Sequence, residues 1–313
     1  MDFIFSFERK VGQKIKNRLL FFLIMKEIQS WMQFQYLVYP NDDRKFCVRI
    51  DGEGEPLPES LEKRVSDIRR KVDLKDNPVP FLYCVETNSK KEFVVKRRPY
   101  SYSHAFNRCA ENFDLELIKM YHLLYLSTHF HFETGDGYLV YVTKKNQMNQ
   151  ISGFGGFPNL NKHVLKRSEK SFVNIIGTIK DRVEHEIGDV FDAIKKVYAI
   201  GVTCVGKPGL SGVDLNFILH SSICSIDFKR IFRESEQFNR EIFFVKPCDL
   251  SAFVIDVFKN GREISPFALG CMYLLQYYFG FSPEDFLKKI EDGVGISIGI
   301  GDEIGYLHVE RKI

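Results

Sequence analysis

Gly137-Tyr-Leu-Val-Tyr-Val-Thr143, Ser152-Gly-Phe-Gly-Gly-Phe-Pro158 and Lys170-Ser-Phe-Val-Asn-Ile-Ile-Gly-Thr-Ile-Lys-Asp-Arg-Val-Glu-His-Glu-Ile-Gly188 read in turn as a strand, a tight glycine loop and a helix. The rest of the chain is arranged around them. In the third segment Phe172, Ile176, Ile179, Val183 and Ile187 recur at helical spacing, which makes one apolar stripe for packing on a sheet. Residues three and four apart share a helical face, so Arg182, His185 and Glu186 gather beside the stripe while Glu184 points away.

Toward the C-terminus, Val197-Tyr-Ala-Ile-Gly-Val-Thr-Cys-Val205, Val213-Asp-Leu-Asn-Phe-Ile-Leu219 and Arg240-Glu-Ile-Phe-Phe-Val-Lys-Pro247 are apolar runs bounded by turn residues, as strands are. An apolar helix is expected over 264–279, with Pro266 in its first turn and Gly280 past its end. It belongs to a core or to the interface of a homodimer. Ser282 opens a further helix, and the glycine-rich run from Gly293 to Gly301 suggests a terminal hairpin.

Toward the N-terminus the readings are more local. A helical segment is expected over 2–31, with a hairpin from Gln35-Tyr-Leu-Val-Tyr39 to Lys45-Phe-Cys-Val-Arg-Ile50 after it. A helix should run from Pro58 to about Val72, and Phe81–Glu86 and Glu92–Lys96 should form a second two-strand unit. The basic, aromatic stretch Lys96-Arg-Arg-Pro-Tyr-Ser-Tyr-Ser103 is either a solvated strand end or a place for a nucleotide, because guanidinium groups fork onto phosphate. His129 and His131 would share one face of a strand and could hold a metal, yet no third ligand stands at a fixed spacing from them.

Composition narrows the class. At 44% hydrophobic and with 29 Phe, the chain has the material for a large core. A net charge of +3 is too balanced to make bulk electrostatics an argument for nucleic-acid binding. The seven cysteines are odd in number and include no C-x-x-C pair, which reads as reduced thiols in a cytoplasmic protein. The longest apolar run, Leu19 to Met25, falls far short of the roughly 20 residues that a membrane span needs.

The order of elements from about Asp114 to Gly280 resembles the Nudix hydrolase superfamily, whose signature ends in R-E-U-x-E-E-x-G, U being apolar. Arg182-Val-Glu-His-Glu-Ile-Gly188 keeps the apolar residue, the last glutamate (Glu186) and the glycine. The other two helix glutamates are replaced by Arg182 and His185, and Asp181 stands at the signature arginine. An insertion over 159–168 lengthens the loop before the helix, as in some nucleoside-diphosphate-sugar hydrolases. The resemblance implies an α+β fold in which a Nudix-like mixed sheet is sandwiched between helices. Residues 114–313 would form this domain, with C-terminal helices and the terminal hairpin, and 1–113 an N-terminal α+β extension.

It also implies a chemistry: attack of water on a nucleoside diphosphate linked to another group, with Mg²⁺ or Mn²⁺ clamped by carboxylates. On that reading Glu186 and His185 are catalytic, and Glu186, His185 and Asp189 hold the metal, provided that the helix continues past Gly188. Gly155, Gly156, Arg97, Arg98, Lys162 and Arg182 would bind the substrate, with Lys162 on a basic lid formed by the insertion. The loss of two carboxylates supports a second reading, a catalytically silent module that binds a nucleotide or a protein partner.

Overall fold

The computed structural model describes residues 35–40, 46–71, 76–86, 92–103, 121, 123–144, 147–207, 210–235, 239–300 and 306–311. The chain is α+β, and its strands form one mixed hydrogen-bonded network that branches at Tyr125–Glu133. This central strand pairs in parallel with Leu210–Ser221 over nine residue pairs, from Gly212↔Tyr125 to His220↔Glu133. Its other edge is shared. Tyr125 meets Phe81 of Pro78–Glu86, 128–130 meet the short strand Phe154–Gly156, and Glu133 meets Leu139 of Leu139–Lys144.

Strand alternation assigns side chains to two faces, and both faces are covered. On one, Leu126, Phe130, Phe132, Val140, Val142, Leu215, Phe217 and Leu219 join Ile179 and Val183 of the helix Ile175–Glu186 and Ile187 that caps it. On the other, Leu139, Tyr141 and Ile218 pack with the helices Leu250–Lys259, Pro266–Tyr278 and Pro283–Val294. Residues Pro266 through Gln276 are all buried, so this helix is apolar around its whole circumference, as a helix enclosed on every side must be.

The expected strands at 137–143, 197–205, 213–219 and 241–246 correspond to Leu139–Lys144, Ile194–Lys207, Leu210–Ser221 and Ile242–Val245. Helix 170–187 is shorter than its stripe suggests. Lys170–Val173 is a strand, folded back on Val164–Arg167 around Ser168 and paired with Cys47–Glu53. The helix begins only after Asn174, whose Oδ1 accepts from the Gly177 amide at 3.0 Å. Phe172 fits both periodicities; the cap decides where the helix starts.

The expected 35–50 hairpin does not form. Gln35–Pro40 instead lies between Ile194–Lys207 and Tyr306–Arg311, while Cys47–Glu53 runs parallel to Glu92–Pro99. Alternation identifies a strand without choosing its partner, and these partners are remote in sequence. The expected pair at 81–86 and 92–96 does form, antiparallel, and the expected helix from Pro58 occupies Glu59–Lys71. The expected N-terminal helix at 2–31 lies outside the described residues. No helix among them is long and apolar enough to cross a membrane.

Candidate functional site

Most of the central strand is buried, yet one of its faces is polar. Ser127, His129, His131 and Glu133 alternate with the apolar set, and on the parallel neighbour Asp214, Asn216 and His220 stand at the registers of Ser127, His129 and Glu133. The result is a polar ladder inside the sheet. Ser127 donates its hydroxyl to Asp214, and Asn216 donates to Thr203 Oγ1 at 3.0 Å and to the Asp214 carbonyl at 2.9 Å. At the far end His220 contacts Glu133 through Nδ1 and Tyr278 Oη through Nε2, the latter at 2.9 Å.

Burial sets the protonation of this ladder. It pushes the Asp214 carboxyl up to about 7, with Lys144 drawing it partly back, and brings His131 down to about 4. His129 is held well below its usual value by burial first and then by His131 and Lys144. Near neutral pH both imidazoles are therefore uncharged. The 3.9 Å between His129 Nδ1 and Asp214 Oδ2 is then a polar contact, not an ion pair.

A pocket of about 320 Å³ opens over one end of the ladder. Tyr125, Ser127, His129 and Asp214 come from the two parallel strands, and Gly155, Gly156 and Phe157 from the glycine turn. The helix Ile175–Glu186 contributes Arg182, His185 and Glu186, while Lys144 and Arg240 add cationic side chains. At the turn the Arg182 guanidinium rests on the bare backbone of Gly156: a Cβ there would lie 2.6 Å from Arg182 Cζ and would push that side chain aside. Gly155 likewise lets Phe154–Gly156 lie against the backbone at Thr128, whose hydroxyl donates to the Gly156 carbonyl at 3.1 Å.

The structure thus gathers Gly155, Gly156, Arg182, His185 and Glu186 as the sequence suggests, but leaves other candidates outside. Asp189 does not extend the helical face. The helix ends at Glu186, and Gly188 turns the chain away at φ 111°. Lys162 is exposed and does not line the pocket. Its loop is pinned, since His163 is buried, accepts from the Asn159 amide at 3.0 Å and binds Asp181 at 2.8 Å, so the expected lid is replaced by the hairpin 164–173. Arg97 also lies off the pocket. Arg98 is buried in the N-terminal unit, over the Tyr102 ring and donating to the Tyr121 carbonyl.

Ser127, Lys144, Asp214 and Arg240 carry the site without having been singled out in the sequence. Asp214 and Asn216 do interrupt the apolar run 213–219 at alternate positions, and that was the available signal.

Glu186 decides the fit to a Mg²⁺ or Mn²⁺ cage. Its carboxylate accepts from Arg240 Nη1 at 3.0 Å, and Arg240 Nε donates to the Thr143 carbonyl at 2.5 Å. With Asp189 turned away, the carboxylates that line the pocket, Glu186 and Asp214, do not make an oxygen cage for a hard cation. No protein-family model matches this chain, and no curated protein matches it.

Proposed function

We propose that this chain is a Nudix-like module whose pocket binds a phosphorylated small molecule, of the nucleoside-diphosphate-linked class, through fixed side-chain cations in place of a metal cluster. The observation that carries this reading is the ion pair of Glu186 with Arg240, which occupies the last signature carboxylate. Arg182 makes no ion pair among the described residues and lies against Gly156 at the pocket wall. A guanidinium in that position matches a phosphate by charge and by its fork of donors. Tyr125, Phe154 and Phe157 line the same pocket, with Tyr125 and Phe157 edge to face at 4.8 Å, and they offer an apolar wall for a base or sugar.

Calorimetry with nucleoside diphosphates and nucleoside-diphosphate sugars, without added divalent cation, tests this. Binding is expected for the intact chain and should weaken about tenfold or more in Arg182→Gln, the loss of one charge-assisted contact. Absence of binding for every ligand sinks the proposal. So does Mn²⁺-dependent release of phosphate products that disappears in Glu186→Gln, an outcome that establishes the hydrolase reading instead.

A further inference from the structure

Behind the pocket lies a second cluster that the phosphate reading does not use. His129 and His131, two residues apart on the central strand, face the same side, and their Nε2 atoms are 3.1 Å from each other. Cys271, from the middle of the helix Pro266–Tyr278, completes the group: the ligand atoms of all three residues lie within 4.8 Å of one another, and all three residues are buried. His131 Nδ1 is 3.5 Å from the Val140 carbonyl, which favours the proton on Nδ1 and leaves Nε2 as a lone pair aimed at the other imidazole.

Two neighbours make this more than a packed histidine pair. A Cβ at position 153 would stand 2.8 Å from both Nε2 atoms, so Gly153 keeps clear the space that they share. Tyr141 is fully buried, its ring lies 4.6 Å from that of His131, and its hydroxyl has no hydrogen-bond partner among the described residues. An orphaned buried hydroxyl is costly and calls for a partner. A metal-bound thiolate would supply one.

We infer that His129, His131 and Cys271 form a binding site for a borderline-soft divalent transition metal ion, Zn²⁺ in the first place, held by two imidazole nitrogens and one thiolate. The donor set excludes Mg²⁺ and Ca²⁺, which take oxygen ligands, and suits Zn²⁺ or Co²⁺. Two imidazoles bound to one tetrahedral ion at about 2.0–2.1 Å place their nitrogens roughly 3.3 Å apart, close to the spacing already present, so only the thiol needs to draw in. On binding, the hydrated ion loses waters, the metal–sulfur bond forms and the Cys271 thiol proton passes to solvent. Three protein ligands leave one tetrahedral position for water or a ligand. Because His129 also lines the pocket, the ion would sit at the pocket's floor. This assignment stands whether or not the pocket binds phosphate.

The test uses the full chain, measured for bound zinc as purified and then stripped with a chelator and titrated with Co²⁺. One equivalent should bind, with the intense visible bands of tetrahedral cobalt and a near-ultraviolet thiolate-to-cobalt band, and Zn²⁺ should displace both. Cys271→Ser should lose the thiolate band, and His131→Gln should weaken binding by at least about tenfold. The intact chain decides the matter even if those variants fail to fold. Absence of both stoichiometric zinc and a cobalt spectrum in wild type overturns the site, and so does a thiolate band that persists in Cys271→Ser, since another cysteine would then be the ligand.

Discussion

The two faces of the strand Tyr125–Glu133 are both buried and chemically opposite. Leu126, Phe130 and Phe132 point into an aromatic core in which Phe130 stacks on Phe154 and Phe132 meets Phe228, whereas Ser127, His129, His131 and Glu133 point into a layer of hydrogen bonds. Apolar burial releases water and stabilises the fold in proportion to area. A buried hydrogen bond largely replaces one lost to water, so its net contribution is small. The apolar face should therefore hold the sheet together, and the polar face should set what it can bind.

The sharpest attack on that division is Phe130→Ala, which removes a fully buried ring and should cost about 3–5 kcal/mol in urea denaturation. Next comes Arg240→Met, which strands Glu186 beside the pocket. A loss of about 2 kcal/mol is expected, below that of a fully buried pair because Glu186 is only partly buried, and largely recovered in the double variant with Glu186→Leu, because an unpaired charge shielded from water is worse than none. On the ladder itself, Tyr278→Phe removes the hydroxyl that pairs with His220 and should cost about 1 kcal/mol. Were Tyr278→Phe to match Phe130→Ala, the polar layer would be structural and the division would fail.

The smallest effect belongs to neither face and serves as a reference. Burial is the largest single influence on the Asp136 carboxyl and raises it, but hydrogen bonds from Ser225 and Thr134 together outweigh it and bring the group to about 2. Its folded pKa is depressed, so its contribution is complete above the unfolded value of about 3.9 and fades as pH falls toward 2. Thermal melts of Asp136→Asn and wild type should therefore converge between pH 4 and pH 2, with no change above that window.

Periodicity made much of this fold legible. The strands near 139–144, 194–207 and 210–221 and the helix 266–278 all show in their apolar patterns, because those patterns report which sides are buried. Partnership was hidden. Nothing local in Gln35–Pro40 names a segment beyond residue 200, and nothing near His129 names Cys271. The site was half visible for the same reason. Arg182, His185 and Glu186 share a helix and declare themselves by spacing, whereas Lys144, Asp214 and Arg240 reach the pocket from separate elements. Asp189 misled because the helical spacing was extended past a glycine that ends the helix.

The placement of Gln35–Pro40 also has a consequence in time. Both strands that flank it, Ile194–Lys207 and Tyr306–Arg311, follow it by more than half of the chain, so on a ribosome it waits with two unsatisfied edges until they are made. Contacts of such long sequence separation slow folding, and an unpaired edge invites pairing with other chains in the meantime. Expression yield should accordingly depend on temperature and chaperone supply more than equilibrium stability would suggest, with nascent chains stalled before residue 306 the most prone to aggregate.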